Sequence, residues 1–245
     1  MANRLLLLVN MKSKNSKLIL TALAISTVAF AADRTSKQKN VDRLRSASMT
    51  FEEIMATPDK AIPQDLLERS HCVIIIPGMK KVGFIVGAKY GKGFITCRKH
   101  AGNGWGNPAA LRLEGGSIGL QIGAGETDLV LLVMNSRGEE SLMKSEFKIG
   151  GEASAMAGPV GRTAQAETDA FMRAEILGYS RSRGLFAGIA LAGSTLRQDT
   201  DENQLLYGSR YSTTEIVRDG KGRVPASAAA LLSQLNRYSF HEMKH

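Results

Sequence analysis

The stretch Tyr179-Ser180-Arg181-Ser182-Arg183-Gly184-Leu185-Phe186-Ala187-Gly188-Ile189-Ala190-Leu191-Ala192-Gly193 alternates bulky residues with very small ones. Alternation with a period of two predicts a β-strand, because successive side chains of a strand point to opposite faces. Glycine weakens a strand interior, so its repeated use indicates sharp curvature or a close approach of the backbone. This stretch therefore predicts a strand whose small face is pressed against a neighbour.

Two upstream segments, Val82 to Gly91 and Ile118 to Gly125, show the same alternation. Of the 25 glycines in the chain, 22 lie between Gly78 and Gly193. The pattern predicts a strongly curved, glycine-rich and mostly antiparallel sheet that resembles a barrel or a sandwich.

Helical patterns flank this sheet. An apolar face over Val41 to Ala56 and a proline start at Pro63, with the helix running through Arg69, predict two N-terminal helices. Asp199 or Thr200 is expected to cap a helix that runs toward Tyr207, and Pro225 to begin another. Helices at the ends and strands in the middle predict a single α+β domain.

The middle of the chain offers two further strand signals. His71 to Ile76 is rich in β-branched residues, and Pro77-Gly78 is expected to end that strand. Leu129 to Met134 is apolar without alternation, which is typical of a strand covered on both faces.

The N-terminus has the pattern of a secretory signal peptide over residues 1–31. Lys12, Lys14 and Lys17 precede an apolar run from Leu18 to Phe30, and Ala29-Phe30-Ala31 fits a cleavage site. Spanning a bilayer takes about 20 residues, so a cleaved signal is favoured over an anchor, and Met11 is an alternative start. Residues 32–40 are expected to form a flexible tether, and 41–240 the folded domain.

The net charge is +9, and it falls to +5 without residues 1–31, which carry four basic residues and no acid. A mildly basic domain is compatible with anionic lipid surfaces but too weakly charged to indicate nucleic-acid binding. The two cysteines, Cys72 and Cys97, either form a disulfide in an oxidising compartment or remain as two buried thiols.

In this order the segments resemble the SYLF domain family, over about Val41 to Tyr238. The matching residues, spread along the whole domain, are Ile62-Pro63 with Leu66-Leu67, Val73 to Pro77, Tyr90-Gly91-Lys92-Gly93, Trp105 with Pro108, Gln121 to Ala124 with Thr127-Asp128, the stretch quoted first, and Asp199, Asn203, Tyr207 and Gly208. Two positions depart from the family pattern: Gly106 replaces a serine, and Ala190 to Gly193 replaces Ser-Leu-Glu-Gly.

The resemblance implies affinity for membrane lipids, which are phosphoinositides in eukaryotic members, without catalysis. Fungal and animal members are actin-associated adaptors, but their adaptor modules are absent from this sequence, so that role is not expected here. A bacterial, exported protein that is periplasmic or secreted would instead meet anionic phospholipids, as a peripheral and not a transmembrane protein.

Basic residues beside predicted strand ends are the candidate lipid site: Lys80, Lys81, Arg98, Lys99, Arg181 and Arg183. If the strand ends meet at one rim, their charges converge on a phosphate headgroup. The alternative is solubilising charge at separate strand ends. The helix over Val41 to Ala56 either inserts into the membrane interface or packs onto the sheet, and Trp105 and Tyr90 are either interfacial anchors or packing residues.

Enzymatic patterns are weak. The four histidines lack metal-ligand spacing. We expect neither a cofactor nor a metal, and a non-catalytic protein. The alternative function is a periplasmic structural or protein-interaction module, or a carrier of a small apolar ligand, that does not bind membranes.

Overall fold

The computed structural model of the protein describes residues 35–57, 61–83, 86–99, 104–118, 123–160, 174–182, 185–189, 191 and 193–239. The chain divides into two compact units, 1–40 and 41–245. Of the first unit, residues 35–40 are described and are helical, although the sequence predicted a tether there. The predicted signal peptide and Arg183 lie outside the described residues.

The second unit has six described helices beside one sheet. The predicted N-terminal helix is confirmed, as are the helices after Pro63, after Asp199 and after Pro225. They are α1 (41–55), α2 (Gln64–Arg69), α3 (Ser136–Leu142), α4 (Thr200–Tyr207), α5 (Thr213–Val217) and α6 (Ala229–Tyr238). Asp199 caps α4 by accepting a hydrogen bond from the Glu202 N–H at 3.2 Å.

The described strands form a single mixed sheet in the order β5-β9-β3-β2-β1-β4-β7-β6, with β8 paired to β7. All pairings are antiparallel except that of β6 with β7. The strands are β1 (Cys72–Gly83), β2 (Val86–Cys97), β3 (Ala109–Ile118), β4 (Gly123–Val133), β5 (Glu146–Lys148), β6 (Ala155–Ala157), β7 (Ile176–Ser182), β8 (Leu185–Gly188) and β9 (Ser194–Gln198).

The sheet curls into a half-barrel. Its two end strands, β5 and β6, are separated by only the residues 149–154, and a bridge joins Ile149 to Ala153 between them. A connection this short requires the two edges of the sheet to lie close together. The predicted α+β domain with a strongly curved, mostly antiparallel sheet is confirmed.

Two apolar clusters cover the two faces of the sheet. On the outer face, α1, α2 and α6 pack on strand residues such as Val73, Val130 and Leu177. On the inner face, residues of the central strands pack against both edge regions, including Phe147 and Ile176. The segment from Leu129 to Met134 is buried throughout, which confirms a strand covered on both faces.

Helix α1 packs and does not present its apolar face to solvent. Leu44, Ala47 and Phe51 are fully buried, and Ile54 is buried with them in the outer-face cluster. Of the two alternatives that the sequence left open for this helix, the structure has the packed one.

The prediction that Pro77-Gly78 ends the first strand is wrong, because β1 continues to Gly83. Its register shifts by one residue against both β2 and β4 at this point, which is a β-bulge. Gly78 has a φ of 60°, a conformation that glycine adopts readily, and its N–H donates to Asp128 Oδ1 at 2.8 Å. Proline lacks a donor, so it is accommodated at the bulge.

The alternating glycine segments are not the single strands that the sequence predicted. The first is divided between β1 and β2, and the second between β3 and β4. Within the third, Leu185 to Ala192, the structure describes a strand only over Leu185–Gly188. Alternation with a period of two continues through a pair of connected strands, so the pattern alone does not reveal where one strand ends.

Candidate functional site

The β1–β2 pairing decides where the candidate basic residues lie. One end of the pair has Cys72 opposite Cys97, and the other has Gly83 opposite Gly87. Lys80 and Lys81 lie near the glycine end, whereas Arg98 and Lys99 follow the cysteine end. Along β1, Lys80 is eight residues from Cys72, which corresponds to roughly 25 Å of strand. Of the two alternatives that the sequence left open for these four residues, the structure has the separate strand ends.

Arg98 is committed to contacts within the domain. Its guanidinium donates to the backbone carbonyls of Leu67 and Glu68 at 3.2 and 3.1 Å, and to that of Ser239 at 3.0 Å. It also lies 4.2 Å from the centroid of the Trp105 ring. Burial lowers its pKa, against the raising effect of Glu68. These contacts connect α2 and the C-terminal end of α6 to the sheet.

Trp105 is a packing residue. Its side chain is buried, and Nε1 donates to Ser239 Oγ at 2.9 Å. Of the alternatives left open for this tryptophan, the structure has core packing, whereas Tyr90 is 45% exposed.

Arg181 is also engaged by carboxylates. It pairs with Asp128 at 2.8 Å, the residue directly opposite it on β4, and it pairs with Glu53 of α1. Two acidic partners neutralise its charge, so the arginine links β7, β4 and α1. Lys99 is exposed at the cysteine end of the β1–β2 pair.

Lys80 lies on the outer face of the sheet near its glycine end. It is directly opposite Tyr90, and the neighbouring outward residue Val82 is 53% exposed. Its acidic neighbour Glu126 is 3.9 Å away, and both side chains are largely exposed. Such surface pairs contribute about 0 to 1 kcal/mol, so Lys80 remains able to attract another anion.

Lys81 lies on the inner face, directly opposite Lys89 of β2. Partial burial lowers the pKa of Lys81, and the nearby charge of Lys89 lowers it further. Like charges at directly opposite positions are destabilising. Sequence reasoning missed Lys89, because its proximity to Lys81 follows from the hairpin register, which no local pattern reveals.

Cys72 and Cys97 are joined by a disulfide at the other end of the same strand pair. Both residues are buried in the inner-face cluster. Of the two alternatives that the sequence left open, the structure has the bond.

The described residues offer little for catalysis or metal binding. His71 Nδ1 lies 3.0 Å from Glu139 Oε2, but no group of three or more potential metal ligands occurs in the part of the chain that the structure describes. None of the helices in these ranges has the length and apolarity needed to cross a bilayer.

Comparison with known proteins identifies relatives of the whole domain. The sequence model of a family described as "Ysc84: Las17-binding protein actin regulator" matches residues 114–238. Protein YSC84 of Saccharomyces cerevisiae is 32% identical over 192 residues, which are 76% of this chain and 40% of that protein. LAS seventeen-binding protein 3 of the same species is 32% identical over 188 residues, 75% of this chain and 40% of that protein.

An animal relative, SH3 domain-containing YSC84-like protein 1 of Homo sapiens, is 31% identical over 183 residues, 74% of this chain and 53% of that protein. The chain therefore spans about half or less of the length of these relatives. The family description and the name of LAS seventeen-binding protein 3 refer to binding, which is consistent with a non-catalytic protein. The match to the family model covers half of the sequence, and the chain belongs to the Ysc84 family, whose shared domain is the SYLF domain.

Proposed function

We propose that the protein binds anionic phospholipid headgroups, including those of the phosphoinositide type, at a membrane surface and without catalysis. The binding surface is the glycine end of the β1–β2 pair, formed by Lys80, Lys81, Lys89, Val82 and Tyr90. The observation that carries this proposal is the grouping of three lysines with two exposed apolar side chains at one end of the sheet.

The expected strength is modest. Each lysine near an anionic membrane contributes about 1 kcal/mol, so three contribute about 3 kcal/mol. Partial insertion of Val82 and Tyr90 would add to this, because apolar and aromatic side chains favour the interface. Binding of this kind is reversible and weakens with salt.

Vesicle sedimentation tests the proposal. Phosphatidylcholine vesicles with and without phosphatidylglycerol are compared over a series of salt concentrations. Lys80→Glu replaces attraction with repulsion, a change of about 2 kcal/mol that lowers partitioning onto the anionic vesicles about 30-fold.

Lys99→Glu is the matched control, because it makes the same change of charge at the opposite end of the strand pair. It should alter partitioning by less than about twofold. Equal losses in the two variants would mean that net charge alone decides binding, and salt-independent binding to neutral vesicles would exclude a headgroup interaction.

We further propose that the chain is exported, with residues 1–31 removed as a signal peptide. The Cys72–Cys97 disulfide supports this, because disulfides persist in oxidising compartments. The relatives reported above are fungal and animal proteins, so a bacterial, periplasmic or secreted protein stays a prediction. Mass spectrometry of the protein recovered from outside the cytoplasm should find a chain that begins at Ala32, and an intact residue 1 would contradict export.

A protein partner is the second candidate, because the family description and one yeast relative, LAS seventeen-binding protein 3, are named for binding Las17. The proposal for this chain is that the exposed end of the sheet receives a protein in place of a membrane. No binding to anionic vesicles, together with a stable complex in a pull-down that Lys80→Glu disrupts, would favour this function.

A further inference from the structure

The inner face of the half-barrel carries a row of small and cationic residues near the glycine end. Register pairing places Gly125, Lys81, Lys89, Gly115 and Ser194 side by side on five neighbouring strands, β4, β1, β2, β3 and β9. All five positions share one face, because directly opposite residues in a sheet point to the same side. The next pair outward on this face is Gly83 with Gly87.

Glycine keeps this part of the inner face open. A Cβ at Gly125 would meet nothing within 4 Å. Gly125 thus leaves room for a ligand to approach the backbone beside Lys81.

The two lysines lack acidic neighbours in this row. Every other described position of the row is a glycine or a serine, whereas Glu114 and Glu126 lie on the outer face, opposite Tyr90 and Lys80. Two ammonium groups at directly opposite positions repel each other, and a bound anion would replace that repulsion with attraction to both.

Ser194 gives an independent indication of a ligand. Its side chain is fully buried, and its hydroxyl has no hydrogen-bond partner among the described residues. The oxygen lies 3.1 Å from the position that a Cβ on Gly115 would occupy, so the hydroxyl is directed along the inner face beside that glycine. Buried hydroxyls are normally hydrogen-bonded, and this one requires a partner that the described chain does not supply.

We propose that this inner face binds a phosphate group, with the Lys81 and Lys89 ammonium groups as its counter-charges and the Ser194 hydroxyl as a hydrogen-bond donor. Register partners lie about 5 Å apart, so Ser194 and Lys89 are separated by about 10 Å along the row, which a phosphate ester and a lysine side chain together span. The phosphate belongs either to a lipid headgroup or to a soluble compound. The first case rests on the proposed membrane function, and the second does not.

Calorimetric titration of the full chain with inorganic phosphate, against a chloride blank, tests the site. Vesicles of phosphatidylcholine doped with phosphatidate form the second probe. Lys81→Gln with Lys89→Gln should weaken binding about 30-fold, since each lysine contributes about a fivefold effect. Ser194→Ala should weaken it about fivefold through loss of one hydrogen bond.

Lys99→Gln is the matched control, because it removes the same charge from an exposed lysine at the cysteine end of the strand pair. It should leave phosphate affinity within about twofold. Thermal melting followed by circular dichroism checks that each variant is folded. If the double variant does not fold, Lys89→Gln and Ser194→Ala decide the question separately.

The outcomes of these titrations distinguish a lipid headgroup from a soluble compound as the source of the phosphate group. Binding of inorganic phosphate that depends on Lys81 and Lys89 supports a site for soluble phosphate compounds. Binding of phosphatidate vesicles alone, with the same dependence, supports a lipid headgroup. Affinities that are unchanged in the double variant, or no binding of either probe, would overturn the proposal. Failure of the proposed membrane function would give a different result. Partitioning onto phosphatidylglycerol vesicles would then be unchanged by Lys80→Glu, while the phosphate titration would remain as expected.

Discussion

Arg98 holds several elements together through one guanidinium. Arg98→Ala would leave the carbonyls of Leu67, Glu68 and Ser239 without this donor and remove the contact with Trp105. We expect the free energy of unfolding, measured by urea titration, to fall by about 2 to 3 kcal/mol. Lys99→Ala, at the adjacent exposed position, should change it by less than about 0.5 kcal/mol. Equal stability of the two variants would show that the guanidinium contacts are not needed for the fold.

Lys81 makes a prediction about pH. Burial and Lys89 lower its pKa in the folded protein below the unfolded value of 10.5. The folded state then binds this proton less tightly than the unfolded state does. The resulting loss of folding stability is fully present at neutral pH and disappears as the pH rises through the folded pKa toward 10.5. Lys81→Gln should raise the free energy of unfolding at pH 7 by about 0.5 kcal/mol. A variant whose advantage persists unchanged above pH 10.5 would contradict this cause.

Residue roles that depend on neighbours in the chain were predictable, and those that depend on the sheet were not. The carboxylate of Asp199 was expected to cap a helix, and it does so by accepting from a backbone N–H. Arg98 and Arg181 were assigned to lipid because their partners come from distant elements, which no local pattern indicates. Ser194 and Lys89 were missed for the same reason.

At the scale of the element, the bulge in β1 depends on one backbone conformation. A Cβ on Gly78 would meet nothing within 4 Å, so the cost of Gly78→Ala arises from its φ of 60° and not from a clash. We expect the free energy of unfolding to fall by about 1 to 2 kcal/mol.

Gly125→Ala is the control for this substitution. The space around its Cβ is equally open, but its φ lies outside the left-handed region, so the change should be within about 0.5 kcal/mol. If both alanine variants lose the same stability, the strain at Gly78 is not the cause.

The helices were predicted well because their signals are local. The proline at position 63, the acidic cap at 199 and the apolar stripes all lie within the elements that they specify. The sheet strands were predicted as strands, but two alternating segments are each divided between two strands. Alternation survives such a connection because both strands place their small residues on one face, so sequence reasoning had no signal for the break.

At the scale of the whole molecule, the disulfide encloses much of the β1–β2 pair, with a separation of 25 residues. In the chain-entropy account, a loop of this length stabilises the fold by about 3 kcal/mol. Cys72→Ser with Cys97→Ser should lower the urea midpoint accordingly, and reductant should then have no further effect. Alkylation of both cysteines in the native, unreduced protein would contradict the bond.

The curvature of the sheet was predictable from its glycines. The proximity of its two edges and the distribution of charged residues between its two ends were not. Small residues on one side of several strands indicated a strongly curved sheet, and the structure confirms it. Which charges share an end of that half-barrel depends on strand order and register. The sequence therefore left open whether Lys80 and Lys99 meet, and the structure holds them at opposite ends of the strand pair.

The bond between Cys72 and Cys97 has a consequence for how this chain responds to cleavage. A protease that cuts the backbone anywhere from Val73 to Thr96 leaves its two fragments covalently tethered. Such a nicked molecule would migrate as one band in a non-reducing gel and as two after thiol treatment. Cleavage within this loop would thus stay undetected until the disulfide is reduced.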